Sequence, residues 1–430
     1  MGATIQLTKL GVEMKKFVQA RLSAMMFLQF FIWGAWYTVI AIYMAANGME
    51  DLTHWPFTVN PIGAIVAPFF VGLIADRYFA TEKVLGVLHI LGGIFMFLTP
   101  SAVGSPVVFI LLLLAHNICY MPTMSLANTL SFHNIENQEK EFPIIRVFGT
   151  IGWIIAGLVV SFVLVYFVSD DVAPEATALP LYLSAVASIA LGLYSFSLPH
   201  TPPAAAGEKV SVRSIVGIDA IKALGSRSFY VFLASSFLIC IPLAAYYNFT
   251  QIFLGATGFE NIAATQTIGQ ASEAIFMVLM PFFFVRLGVK WMLGVGMLSW
   301  VARYALFAMG APDAVTWMIL VGIALHGLCY DFFFVTGQIY VDLKANDQIR
   351  GQAQGLIVLI TYGVGLLIGA QIAGNLYNAF LGSQTMLTLD QWYSFWWVPA
   401  LFALAVFVLF LLLFNDKEAE EQVAKEEITI

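Results

Sequence analysis

The stretch Trp317-Met-Ile-Leu-Val-Gly-Ile-Ala-Leu-His326-Gly-Leu-Cys-Tyr330-Asp331-Phe-Phe-Phe-Val-Thr-Gly-Gln338-Ile-Tyr340-Val341 decides how this chain is read. It is long enough to cross a bilayer, for which about 20 mostly apolar residues suffice. Yet it carries Asp331 near its middle, beside Tyr330 and His326. A carboxylate at membrane depth costs roughly 2.5–3.5 kcal/mol on insertion scales. Such a residue marks a bundle interior, a water-filled cavity or a proton relay. The plainer alternative is a buried structural ion pair. Two other charged residues fall inside apolar runs and could partner it, Glu273 and Arg303.

The rest of the chain agrees with a membrane reading. Of its 430 residues, 60% are hydrophobic and 10% are charged. Soluble domains carry about 25% charged residues, so that class is excluded. The apolar residues come in long unbroken runs, unlike the period-two strands of a membrane barrel. The net charge of −7 owes much to the tail Asp416–Glu427, and no basic stripe points to nucleic acid. Cys119, Cys240 and Cys329 all lie within apolar runs, so no disulfide framework is expected. Met1–Gln19 is polar and mixed, unlike a cleavable signal peptide. The six histidines are scattered, with no metal-ligand spacing, and no phosphate-binding glycine loop occurs. Neither an enzyme, a metal site, a cofactor nor an ATP-driven pump is therefore expected.

Twelve apolar runs can be drawn, at about 22–46, 56–76, 84–102, 105–132, 143–168, 179–198, 227–254, 261–286, 289–310, 314–342, 350–380 and 391–415. They predict an all-α integral membrane protein with an N-terminal six-helix bundle (1–198) and a C-terminal one (227–415). A linker (199–226) and a tail (416–430) complete the chain. In the linker, Val210, Ile215, Ile218 and Ile221 suggest a short helix on the membrane surface. Basic residues set the orientation. Lys9, Lys15, Lys16, Arg21, Arg77, Lys83, Lys140, Lys209, Arg213, Lys222, Arg227, Arg286, Lys290, Lys344, Arg350, Lys417 and Lys425 all fall on the side of the N-terminus. The opposite loops hold only acids, among them Asp51, Asp170, Glu260 and Asp390. Both termini are accordingly expected in the cytoplasm.

An internal repeat is visible. Ala67-Pro68-Phe69-Phe70-Val71 closes run two, and Met280-Pro281-Phe282-Phe283-Phe284-Val285-Arg286 closes run eight. Runs two and eight correspond if the halves are parallel repeats, the major-facilitator arrangement with a central site at their interface. Gly72-Leu-Ile-Ala-Asp76-Arg77-Tyr-Phe-Ala-Thr-Glu82-Lys83 resembles that superfamily's signature loop. The resemblance implies a conformational latch at Asp76 and Arg77; an ordinary solvated turn is the plainer reading.

Several side chains could carry recognition. Gln270 and Glu273 lie three apart on one helical face. Arg303 can neutralise Glu273 or Asp331 and set its proton affinity. Arg146, Thr150 and Trp153 form a single stripe in run five, with Gly149 and Gly152 off it and free to permit close helix contact. Run seven offers Tyr246, Tyr247, Asn248 and Gln251 around a proline that should bend it, Pro242. Run one has Gln29, Trp33 and Trp36; run four has Tyr120, Thr123 and Asn128. Rings, amides and hydroxyls together suit a flat, polar, uncharged ligand with a sugar. The tryptophans also suit packing or interface anchoring, and Arg146 a positive-inside anchor.

Leu28-Gln-Phe-Phe-Ile-Trp33-Gly-Ala-Trp36, Tyr120-Met-Pro-Thr123, Phe142-Pro-Ile-Ile-Arg146-Val-Phe-Gly-Thr150-Ile-Gly152, Ser272-Glu273, Arg303-Tyr-Ala-Leu-Phe307 and Tyr330-Asp331-Phe-Phe333 resemble the bacterial nucleoside:proton symporters of the major facilitator superfamily. The resemblance runs in order from about residue 22 to 415. It implies nucleoside uptake driven by protons across the cytoplasmic (inner) membrane, and a central site lined by Arg146, Thr150, Gln270, Glu273, Tyr330 and Asp331. Trp153, Tyr247, Asn248 and His326 join the candidate substrate residues. Asp331, Glu273 and Arg303 are the candidates for proton coupling. The chain departs from the best-known branch at Ala244 and Tyr247, where that branch offers a glutamine and an asparagine. The expected partners are a nucleoside, protons and the bilayer, with the protein a monomer. A carrier of another polar solute such as a sugar is the alternative within the fold; a non-transporting sensor is the alternative outside it.

Overall fold

The computed structural model describes residues 2–70, 78–169, 171–203, 216–346 and 349–415, with side chains from Lys15 onward except Pro68 and Glu139. Among these residues all extended regular structure is helical. Hydrocarbon offers backbone amides no partners, so an apolar run must satisfy them within its own helix. Nine helical stretches of the described chain are long and apolar enough to cross a membrane. One of them, Ile262–Gly310, holds runs eight and nine and turns at Gly288 (φ 64°, ψ 177°), a backbone region open to glycine. Trp55–Phe70 (run two) and Leu179–Ser195 (run six) are shorter helices of 16 and 17 residues. Asp76, Arg77, Asp170, Lys209, Val210, Arg213, Ile215 and the tail 416–430 lie outside the described residues.

The chain forms two compact units. One comprises Met1–Tyr37 with Ile62–Val210, the other Thr38–Pro61 with Ser211–Ile430. The division falls within run one, which is helical over Gly2–Tyr37, loosens at Thr38–Val39 and resumes as Ile40–Ala46. A restarted helix has orphan N–H groups at its first turn, and Val39 supplies no side-chain cap. Gln251 of run seven does so instead: its Oε1 accepts from the Ala41 N–H at 2.9 Å.

In the first unit, small residues set the helix crossings. A Cβ on Gly152 would overlap the Phe27 carbonyl, and one on Gly149 would stand 2.6 Å from the Phe30 ring. Run five therefore lies directly on run one. Runs three and six meet likewise, with Gly93 against Ile189 and Gly192 against Ile90. Lipid tails give helices no hydrophobic reason to associate, so such close van der Waals contact is what holds them. A buried polar knot adds to it. Gln29 donates to Thr123 Oγ1 at 2.7 Å and meets His89 Nε2 at 2.8 Å, while His89 Nδ1 meets Ser188 Oγ at 3.2 Å. The knot joins runs one, three, four and six.

In the second unit, Gly327 of run ten lies on Ser272 of run eight, whose hydroxyl accepts from the Gly327 N–H at 3.1 Å. Gly365 and Gly369 of run eleven lie on Cys240 and Ala244 of run seven. Run seven, Arg227–Ala256, stays one helix through Pro242. Runs ten and eleven do not stay regular. Run ten is Thr316–Ala324, His326–Tyr330, a π-helical turn Asp331–Val335, and Thr336–Lys344. Run eleven is Arg350–Val358, a π-helical turn Leu359–Gly365, and Leu366–Leu381. In the linker, Ile218–Ala223 is a short helix whose Ala220 is buried, and Gly217 before it lies against Leu356 of run eleven.

Candidate functional site

The carboxylate that organised the sequence reading opens the π turn of run ten. Asp331 is fully buried, and among the described residues neither of its oxygens has a hydrogen-bond partner. π turns inside membrane or soluble helices recur at functional positions because the wider turn re-aims side chains. The half-buried Glu273 of run eight acts electrostatically on Asp331. Three residues earlier, Gln270 is also half-buried, and its Oε1 has no partner among the described residues.

Arg303 takes neither acid as a hydrogen-bond partner. Its Nε donates to the Gly322 carbonyl at 2.9 Å, and its guanidinium carbon sits 4.0 Å from the centre of the Tyr246 ring. Its two terminal nitrogens have no hydrogen-bond partner among the described residues. Gly322 is required at that crossing, because a Cβ there would stand 2.5 Å from the Phe307 ring. The run-ten backbone can thus come close enough for the Gly322 carbonyl to accept from Arg303. The expected neutralisation of an acid by Arg303 gives way to an aromatic face, worth about 2 kcal/mol or more when desolvated.

Tyr246 serves a second ring. His326 stacks on it at 5.5 Å with an 18° interplanar angle, and lies 6.4 Å from Tyr247 and 5.8 Å from Tyr330. Gly269 permits this approach, since its hydrogen faces the His326 Cβ. Tyr330 meets Tyr362 of run eleven hydroxyl to hydroxyl. Tyr247 is half-buried against Tyr246, whereas Asn248 is fully buried with its amide on the Ala370 carbonyl at 3.4 Å.

The first unit carries the run-five stripe. Ile145, Gly149, Gly152 and Ala156 are buried, which leaves Arg146, Thr150 and Trp153 on the adjoining face. Arg146 is exposed with its guanidinium 4.1 Å over the Phe30 ring, and Thr150 is half-buried. Trp153 meets Trp33 at 5.4 Å and Tyr37 at 6.3 Å, both edge to face.

Two features escaped the sequence reading. The Gln29–His89–Ser188 knot, with Thr123, combines residues from four runs; Gln29 and Thr123 stood out as polar groups in apolar runs, but their meeting with His89 and Ser188 did not. Tyr362 lay unremarked in Thr361-Tyr362-Gly363-Val364-Gly365, whose two glycines were the available signal.

Comparison with known proteins bears on this arrangement. Nucleoside permease NupG of Escherichia coli (strain K12) is 28% identical over 417 residues, covering 93% of this chain and 96% of that protein. YegT of the same organism is 38% identical over 406 residues, covering 93% and 95%. The crystal structure of nucleoside transporter NupG superposes with a TM-score of 0.81 at 26% identity, over 93% of this chain and 99% of that one. The fold is therefore the all-helical major-facilitator fold of that transporter. The model of the nucleoside H+ symporter family matches residues 16–419, and the chain belongs to that family.

Proposed function

We propose that this protein imports nucleosides together with protons across the cytoplasmic membrane of a bacterium by alternating access. The observation that carries the reading is Asp331: a fully buried carboxylate with no hydrogen-bond partner among the described residues, in a family of proton symporters. A side chain that couples protons must be able to hold and release one, and arginines stay charged throughout the accessible pH range. Asp331 takes the proton-carrying role. Glu273, beside Gln270, meets substrate. Arg303, held on Tyr246, sets the field around both acids.

Recognition draws on Arg146, Thr150 and Trp153 from run five, Tyr247 and Asn248 from run seven, Gln270 from run eight, and His326 and Tyr330 from run ten. Rings stack on a nucleobase, while amides and hydroxyls bond to base edges and ribose. We further assign halves at 1–198 and 227–415, a latch at Asp76 and Arg77, cytoplasmic termini and a monomeric state.

The test is transport by purified protein in vesicles under an imposed pH gradient, with uridine, adenosine, the free bases and maltose offered in parallel. Accumulation of nucleosides alone, abolished by a protonophore, supports the reading. Accumulation of sugar but not nucleoside overturns it.

A further inference from the structure

Two π-helical turns, Asp331–Val335 and Leu359–Gly365, occur in consecutive runs of the second unit. Tyr330 stands immediately before the first and Tyr362 at the centre of the second. Their hydroxyls are hydrogen-bonded, and Phe334 packs on both rings, at 5.2 Å from Tyr330 and 5.4 Å from Tyr362. Both helices are pinned independently of this contact. Run ten is fixed on run eight by Gly327 against Ser272, three residues before Tyr330. Run eleven is fixed on run seven by Gly365 and Gly369, three and seven residues after Tyr362, against Cys240 and Ala244. The small residues at i and i+4 let the backbones touch, which sets the rotation of run eleven.

The chemistry of the pair follows from its inventory. Each phenol has one proton and acceptor lone pairs. The Tyr362 hydroxyl donates to that of Tyr330, so the Tyr330 proton must point away from Tyr362. Tyr330 is half-buried beside His326, in the cluster to which substrate recognition is assigned above. Tyr362 is also only half-buried, and nothing about packing against Phe334 calls for an oxygen on its ring.

We infer that Tyr362 is a positioning residue for nucleoside recognition, its hydroxyl orienting that of Tyr330 toward the substrate. The inference rests on the nucleoside reading proposed above. A network that acts as a unit gives non-additive losses, because removing either member disables the other.

The test is a double-mutant cycle on the full-length protein in detergent, with uridine and adenosine titrated calorimetrically against wild type, Tyr330→Phe, Tyr362→Phe and the double variant. Phenylalanine keeps both rings, and thermal melting of each variant checks the fold. Tyr362→Phe is expected to bind roughly three- to tenfold more weakly, the loss of one neutral hydrogen bond. The double variant is expected to bind no more weakly than Tyr330→Phe alone. A purely structural ring would leave Tyr362→Phe at wild-type affinity, and that result overturns the inference, as do losses that multiply. A wild type that binds neither nucleoside overturns the functional reading, and this inference with it; wild-type binding with an unaffected Tyr362→Phe overturns this inference alone.

Discussion

The Arg303 guanidinium lies over the Tyr246 ring, with its carbon 4.0 Å from the ring centre, so a fully buried cation is held by an aromatic face. The Gly322 carbonyl accepts from its Nε. Removing the ring leaves a desolvated charge with little to replace it. Tyr246→Leu is expected to cost about 2 kcal/mol of stability, and Tyr246→Phe much less. Denaturation of the purified variants would decide this; equal losses for both would show that the hydroxyl, and not the ring, supports Arg303.

Gly152 faces the Phe27 backbone with no room for a side chain. The helix of run five would have to lift off run one to admit even a methyl group. Gly152→Ala should therefore destabilise the first unit by about 1–3 kcal/mol, as overpacking generally does. Gly255 has a looser surrounding, where a Cβ would stand 3.4 Å from the Ile262 side chain. Gly255→Ala is the control, expected to melt within a degree or two of wild type. Comparable losses in both would locate the effect in glycine itself and not in the crossing.

The two acids separate coupling from binding. Asp331→Asn should abolish accumulation driven by a pH gradient while preserving exchange of nucleoside across vesicles. Glu273→Gln should weaken binding and exchange together, by roughly tenfold or more if it bonds the substrate as a charged acceptor. Paired proton-driven uptake and counterflow on both variants distinguish the roles. Continued concentration of substrate by Asp331→Asn would remove Asp331 from the proton path.

Glu82, in the first turn of the helix Thr81–Leu98, reaches the first residues of the linker after run six. One oxygen accepts from the Thr201 N–H at 3.0 Å and the other lies 2.9 Å from His200 Nδ1. It is buried, so its loss leaves the Thr201 amide without that acceptor. Glu82→Ala should cost roughly 1–3 kcal/mol. Glu82→Gln, which keeps one acceptor oxygen, should recover part of that loss. The readout is thermal melting together with protease accessibility near His200. An Ala variant as stable as wild type would make this contact incidental.

The run-five stripe was readable because it needs only helical periodicity: Arg146, Thr150 and Trp153 share a face wherever the helix packs. The glycines beside it announced a close contact but not its partner, since Phe27 is remote in sequence. Asp331 and Arg303 announced themselves by cost, as charges inside apolar runs. Which group each would meet was not readable. Nothing local distinguishes a carboxylate partner for Arg303 from the Tyr246 ring; the fold places the Gly322 carbonyl on its Nε and the Tyr246 ring against its guanidinium.

By itself, then, the sequence determined a helical membrane protein, the depth of its charges and the faces its polar residues share. Hydrocarbon leaves the backbone no other way to satisfy its amides, so hydropathy is close to a structural statement. The tertiary structure decided the break at Thr38, the π turns at Asp331 and Leu359, and the meeting of Tyr330 with Tyr362. Each of these departs from a regular α-helix, and each depends on groups distant in sequence that meet across helix contacts. A Gln251 side chain reaches the broken helix, and glycine crossings set the rotation that brings two tyrosines together.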